Sequence, residues 1–190
     1  MHKKREWFPD TEYHITSRGN RRNYIFRDEE DFQVYITIIE NALEYFKGQF
    51  ELICYCLMNN HVHLLLETKD RHIKFFMSRI NSIYAKYFNK KYNYCGHLYE
   101  KRYFSELIKK DSQLLETSRY IHLNPVKADM VEKPEDYKWS SYKIYIGQEK
   151  EKLINSNKVL NYFKEENKKE LYKKFTEGYI KTIKMLKEVK

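Results

Sequence analysis

Two histidines one residue apart, His61 and His63, lie in the run Met58-Asn59-Asn60-His61-Val62-His63-Leu64-Leu65-Leu66-Glu67. The run is apolar, rich in Leu and Val and free of helix breakers, which predicts a strand. Successive side chains of a strand point to opposite faces, so both imidazoles leave the same face, roughly 6–7 Å apart along the strand. Val62, Leu64 and Leu66 point the other way, into whatever packs behind. Two imidazoles on one rigid face can hold one metal ion if a third ligand comes from elsewhere. Without that ligand, a His-x-His pair is two ordinary strand histidines. Further along, Tyr120 and Asn124 are four apart in a run read as helix, so one stands above the other on one face. Asn124 offers a carbonyl oxygen, which suits a hard cation, and Tyr120 offers a phenol. A tyrosine at such a position also serves an amphipathic core helix. His122 leaves the helix from another side and is read as structural or exposed.

The elements that must position these residues follow from periodicity. Tyr13 to Arg18 alternates as a first strand, after a loose lead-in over residues 1–12. Asp28 opens a helix whose apolar positions recur from Phe32 to Phe46, with Gly48 at its stop. Phe50 to Met58 is a second strand, and Asn59-Asn60 turns it directly into the histidine strand as a hairpin. Residues 72–91 keep a helical period, and Tyr103 to Ile108 reads as a fourth strand. Strand, helix, strand, strand, helix, strand is the split βαβ order of ferredoxin-like α+β folds. It predicts one antiparallel sheet with the histidine strand central, helices on one face and the other face open for a site. A third helix is expected to start at Asp111-Ser112 and stop at Pro125, because the residue before proline avoids helical geometry. The domain is read as residues 1–147. Residues 148–190 are Lys/Glu-rich with apolar spacing, which predicts a basic extension of two or three amphipathic helices packed on the domain.

The charge balance narrows the partners. A formal net charge of +9 on 190 residues points to a polyanion. Eighteen tyrosines beside that charge suit single-stranded nucleic acid, whose bases stack on rings. Arg18, Arg21, Arg22 and Arg27 crowd one loop and can grip phosphates. Lys101 and Arg102 end a segment that interleaves basic residues with Tyr92, Tyr94 and Tyr99, a bed for a backbone and its bases. A solvated charged surface explains either cluster as well. No run approaches the ~20 apolar residues of a membrane span, and the charged start is no signal peptide. The expected setting is therefore cytoplasmic and nucleoid-associated, with no membrane partner and reduced cysteines. Cys54, Cys56, Cys95 and His97 are kept as a minor zinc alternative.

Taken together, Met58-Asn59-Asn60-His61-Val62-His63-Leu64-Leu65 and Arg119-Tyr120-Ile121-His122-Leu123-Asn124-Pro125-Val126-Lys127-Ala128 resemble the single-tyrosine HUH transposases, and among them the REP-associated tyrosine transposases. Tyr13-His14-Ile15-Thr16-Ser17-Arg18-Gly19-Asn20 is similar to that family's opening. Tyr99-Glu100-Lys101-Arg102-Tyr103-Phe104 and Trp139-Ser140-Ser141-Tyr142 look like its later landmarks. The resemblance covers roughly residues 8–147. It implies one divalent ion, Mg²⁺ or Mn²⁺, on His61, His63 and Asn124, with Tyr120 as nucleophile. It also implies cleavage of single-stranded DNA beside a hairpin, leaving a 5′-phosphotyrosine and a free 3′-OH, followed by rejoining. Asn59 stands where the family often has proline, and Asp129 where it often has glycine.

These groups suit that reaction. A divalent ion offsets the negative charge of the scissile phosphodiester. A tyrosyl ester preserves the bond energy, so a 3′-OH can reverse the step. Because imidazole binds metal only when neutral, activity is expected to fall below about pH 6. Two other readings share the residues: a hairpin-binding module that no longer cuts, and a metal-dependent nuclease using water. The working form is read as a monomer or homodimer.

Overall fold

The computed structural model describes residues 7–188; part of the expected lead-in, residues 1–6, lies outside the described residues. Four strands form one antiparallel sheet: β1 (Thr11–Arg18), β2 (Phe50–Met58), β3 (His61–Thr68) and β4 (Phe104–Leu107), in the order β2-β3-β1-β4. Two long helices, α1 (Glu29–Tyr45) and α2 (Ile73–Tyr92), complete the expected split βαβ order. The histidine strand is interior, between β1 and β2.

Alternation divides the sheet as its sequence dictates. Val62, Leu64 and Leu66 are fully buried on the α1/α2 side, where Asn81 of α2 donates to the Ser17 hydroxyl opposite Val62. Thr16 and His63, paired across β1 and β3, face the other way. That second face is not open along its whole width. A third helix, α3 (Asp111–Lys127), packs over β2 and β3, and the remaining gap is a cleft toward β1 and β4.

The start of α1 is fixed by a capping box, in which Asp28 accepts from the Asp31 backbone N–H at 3.0 Å and Asp31 accepts from that of Asp28 at 3.4 Å. Asp31 is completely buried, and its charge is met by Lys91, Tyr87 and Tyr92 from the end of α2. This corrects the tyrosine bed. Tyr92 is spent on that network, while Tyr94 and Tyr99 lean into the core.

Two expectations for α3 need correction. Its N-cap is Lys110, which makes no side-chain cap; instead the Gln113 side chain reaches back to accept from the Lys109 N–H at 2.9 Å. The helix also runs through Pro125 to Lys127. A proline at 125 supplies no N–H to the Ile121 carbonyl. Here the Asn124 side chain stands in, its Nδ2 donating to the Tyr120 carbonyl at 2.9 Å and reaching the Ile121 carbonyl at 3.4 Å. Just beyond the helix, Asp129 has φ +55°, the left-handed backbone that favours glycine, and its carboxylate meets Lys187 at 2.6 Å.

The chain then seals the free edge of β2. Leu57 N–H donates to the Trp139 carbonyl at 2.9 Å and Ser141 N–H to the Tyr55 carbonyl at 3.1 Å. Tyr137 and Tyr145 donate their hydroxyls to the Leu57 and Ile53 carbonyls. An edge paired in this way no longer offers a template to another strand. Four short helices follow: α4 (Tyr142–Tyr145), α5 (Asn157–Leu160), α6 (Lys168–Glu177) and α7 (Ile180–Glu188). Ile154, Val159, Leu160 and Tyr172 join the same core as the sheet, and Ile183 of α7 packs on Leu123 and Val126 of α3. Among the described residues, no helix is long and apolar enough to cross a membrane.

Candidate functional site

A cleft of about 760 Å³ opens between the β1/β4 side of the sheet and α3. Its floor is His14, Thr16 and His63, which the antiparallel register of β1 and β3 puts on one face. Its wall is α3, with Thr117, Tyr120 and Lys127 turned inward, and its far rim includes Tyr179 from the loop before α7. Tyr120 is 40% exposed, uncommon for a tyrosine on a packed helix, so its phenol is presented rather than stored. Its ring stands edge-on to His63 with centroids 5.6 Å apart, and to His14 at 5.8 Å. Lys127, nearly two turns along, holds its ammonium 4.0 Å from the centre of the Tyr120 ring.

The two strand histidines are close, their rings 4.9 Å apart. His61 Nδ1 lies 2.6 Å from Asn60 Oδ1, whose own amide nitrogen donates to the Arg22 carbonyl. His63 Nδ1 lies 2.9 Å from His14 Nε2 and 3.3 Å from the Thr16 hydroxyl. The other nitrogen, His63 Nε2, is buried with no hydrogen-bond partner. Burial, with Arg18 adding a smaller push, lowers His61 to about 4. Burial likewise takes His63 well below the ordinary imidazole range and His14 to about 4. All three rings are therefore neutral at pH 7. The neutral form also extends further into acid than the expected limit of about pH 6, because desolvation opposes the charged ring.

Of the residues singled out in the sequence, the structure brings His63 and Tyr120 to the cleft and keeps His61 beside them. Arg18, Lys101 and Arg102 line the same cleft. Arg21 and Arg22 do not line it; they sit on an exposed turn, both with left-handed backbone. Asn124 lies one turn behind Tyr120, 8% exposed and not among the residues that line the cleft, its amide nitrogen committed to its own helix. No set of three or more His, Cys, Asp or Glu among the described residues is disposed to hold an ion. Cys54 and Cys56 are buried free thiols in β2 and Cys95 is exposed on the loop after α2, so the zinc alternative has no centre.

Sequence reasoning passed over His14, Thr16, Arg119 and Lys127. The Arg119 guanidinium is held between the Phe175 and Tyr179 rings, 4.4 Å from each, and pairs with Glu116. Alternation in Tyr13-His14-Ile15-Thr16 puts His14 and Thr16 on one face, and that was the available signal. Pairing with β3 turns it into a site. The exposed rings near the cleft are also not the expected ones. Phe104, 61% exposed in β4, lines it in place of Tyr92 or Tyr94.

Comparison with known proteins gives the chain a family. The transposase IS200-like family matches residues 8–124, which include every strand and end at Asn124. A Haemophilus influenzae chain carrying the name REP-associated tyrosine transposase is 30% identical over 105 residues, 49% of this chain and 59% of that one. This chain thus spans about three fifths of that relative. A solved REP-associated tyrosine transposase bound to a REP hairpin superposes with a TM-score of 0.65 at 17% identity, covering 84% of this chain and 93% of the other. At that identity the likeness speaks for the fold. With the family match running through the histidine strand and on to the tyrosine helix, the chain belongs to the IS200-like transposases.

Proposed function

We propose that the chain cuts and rejoins single-stranded DNA beside a hairpin, through a 5′-phosphotyrosine on Tyr120. One observation carries the reading: an exposed phenol stands edge-on to a buried imidazole of the His-x-His strand inside a basic cleft. The REP-associated relatives, one of them solved on a REP hairpin, support the choice of DNA partner.

The donor set fits a divalent cation. His63 has a buried ring nitrogen with no partner, His61 is held through its other nitrogen, and Asn124 keeps its amide oxygen uncommitted by the bonds its nitrogen makes. Mg²⁺ or Mn²⁺ bound by His61, His63 and Asn124 would neutralise charge on the scissile phosphate. The protein's own groups do the rest. Arg18, Lys101 and Arg102 hold the backbone of the strand by its phosphates. Lys127, half-buried, has its pKa lowered by burial and then by Arg119, and its ammonium over the Tyr120 ring sets a positive charge beside the attacking group. That oxygen attacks phosphorus, the P–O3′ bond breaks, the phenolic proton leaves to water and the 3′-oxygen takes one up. The reverse attack by a 3′-OH rejoins a strand and frees Tyr120. A single copy contains both the phenol and the imidazoles, so the step needs no tyrosine from a partner.

A second groove, about 860 Å³, runs along α2 past Lys74, Phe75 and Lys86 and meets the cleft at Glu100, Lys101 and Arg102. Basic residues beside an exposed ring suit the unpaired strand leading to the cut.

The test is incubation with end-labelled single-stranded DNA bearing hairpins, with Mn²⁺, read as an adduct that survives denaturant. Wild type is expected to form it and Tyr120→Phe is not. Cleavage by Tyr120→Phe at the wild-type rate would transfer the role to water, and hairpin binding without any cut would leave a binding module.

A further inference from the structure

A neutral imidazole carries one proton, on either nitrogen, and only the bare nitrogen can take a cation. At His63 the surroundings decide which. Nδ1 has His14 Nε2 at 2.9 Å and the Thr16 hydroxyl at 3.3 Å, while Nε2 is buried and has nothing. A proton on Nε2 would be an N–H shut away from every acceptor. A proton on Nδ1 is donated to His14, and the atom left alone is a lone pair. His61 follows the same pattern: its Nδ1 faces Asn60 Oδ1, an atom that only accepts, at 2.6 Å. Both histidines are thus gripped by Nδ1–H, which leaves the Nε2 of each as the bare nitrogen.

We propose that His14 is the positioning residue that holds His63 in its Nδ1–H form and so readies Nε2 for a divalent cation. The assignment rests on the metal reading above. His14 is not itself a ligand, because its Nε2 lies against the edge of the His63 ring opposite the one left bare. Its own proton then sits on Nδ1. The ring stacks on His63, with centroids 5.2 Å apart and planes 22° from parallel, and the β1/β3 ladder holds it there. Outer partners of this kind set the tautomer and orientation of a metal-binding histidine.

Two measurements test it. In the metal-free protein at neutral pH, long-range ¹H–¹⁵N spectra of the imidazoles are expected to give His63 as Nδ1–H in wild type. His14→Phe, which keeps a ring to stack but accepts nothing, leaves Nδ1–H only the Thr16 hydroxyl at 3.3 Å, and part of the population should move to Nε2–H. Mn²⁺ binding followed by electron paramagnetic resonance should weaken about 10–100-fold in His14→Phe. It should recover in part in His14→Gln, which restores an acceptor. An Nε2–H form of His63 in wild type overturns the proposal, as does unchanged Mn²⁺ affinity in His14→Phe. Should His14→Phe fail to fold, the wild-type spectrum and His14→Gln still decide it. If wild type itself does not bind Mn²⁺, the metal reading fails, and the tautomer of His63 is still read independently.

Discussion

His122 and His63 are both buried and lie on either side of the same contact between α3 and the sheet. Their surroundings differ in one respect. His122 has both nitrogens occupied, Nδ1 by the Tyr172 hydroxyl at 2.7 Å and Nε2 by the Ser141 hydroxyl at 2.9 Å. Tyr172 goes on to Ser118, so one ring ties α3, the strip along β2 and α6 together. His63 has one nitrogen held and one left bare. Burial leaves both neutral, so burial does not tell a structural histidine from one proposed to bind a cation. Saturation does: the fold completes His122 and stops short at His63.

The sharpest way to break this contrast is at the residue between them. Tyr120→Phe should abolish the covalent DNA adduct while shifting unfolding in urea by no more than about 0.5 kcal/mol, since the hydroxyl faces solvent. A stability loss much larger than that would mean the phenol is part of the frame. The converse is His122→Ala, expected to cost about 2–4 kcal/mol by removing both hydrogen bonds of the buried ring and leaving a hole. Adduct yield per folded molecule should be retained, and urea titration beside the gel assay reads both.

Acid gives a smaller and graded version. Burial holds the His122 pKa at about 3 in the folded protein, against about 6.5 when unfolded. The unfolded chain therefore binds the proton first. Stability contributed by the neutral ring is intact above about pH 6.5 and drains away as pH falls toward 3, by up to about 1.4 kcal/mol per unit. Melting temperature followed from pH 7 to 4 should fall more gently in His122→Phe, with the slope that remains coming from His14, His61 and His63. Equal slopes would place the acid sensitivity elsewhere. The mildest effect belongs to the rim. Lys101→Ala and Arg102→Ala should each weaken hairpin binding and flatten the salt dependence by about 0.7 in log–log slope per lost contact. A slope identical to wild type would remove either residue from the phosphate path.

The sequence made some of this legible and hid the rest for definite reasons. Every strand, both long helices and the Tyr120–Asn124 spacing are local patterns, and locality is what periodicity reports. His14 was hidden because its meaning lies in cross-strand register, set by pairing Thr16 with His63 rather than by anything near residue 14. The end of α3 was misjudged because proline was weighed without the side chain that covers for it. Tyr92 reads like a stacking platform, yet a buried aspartate 61 residues away claims its hydroxyl. Asp129 departs from the family's usual glycine and still adopts glycine's backbone, its carboxylate recruited by Lys187.

In the proposed site the amide at position 124 answers to two demands at once. Its nitrogen darns the ladder where proline dropped a stitch, and that bond points its oxygen away from the helix carbonyls. Removing the side chain would loosen the last turn of α3 together with the site, so an alanine there confounds two losses. Aspartate keeps an oxygen for the proposed cation but loses the mending donor and sets a charged oxygen against the Tyr120 carbonyl, so it should loosen the helix end without removing the ligand atom.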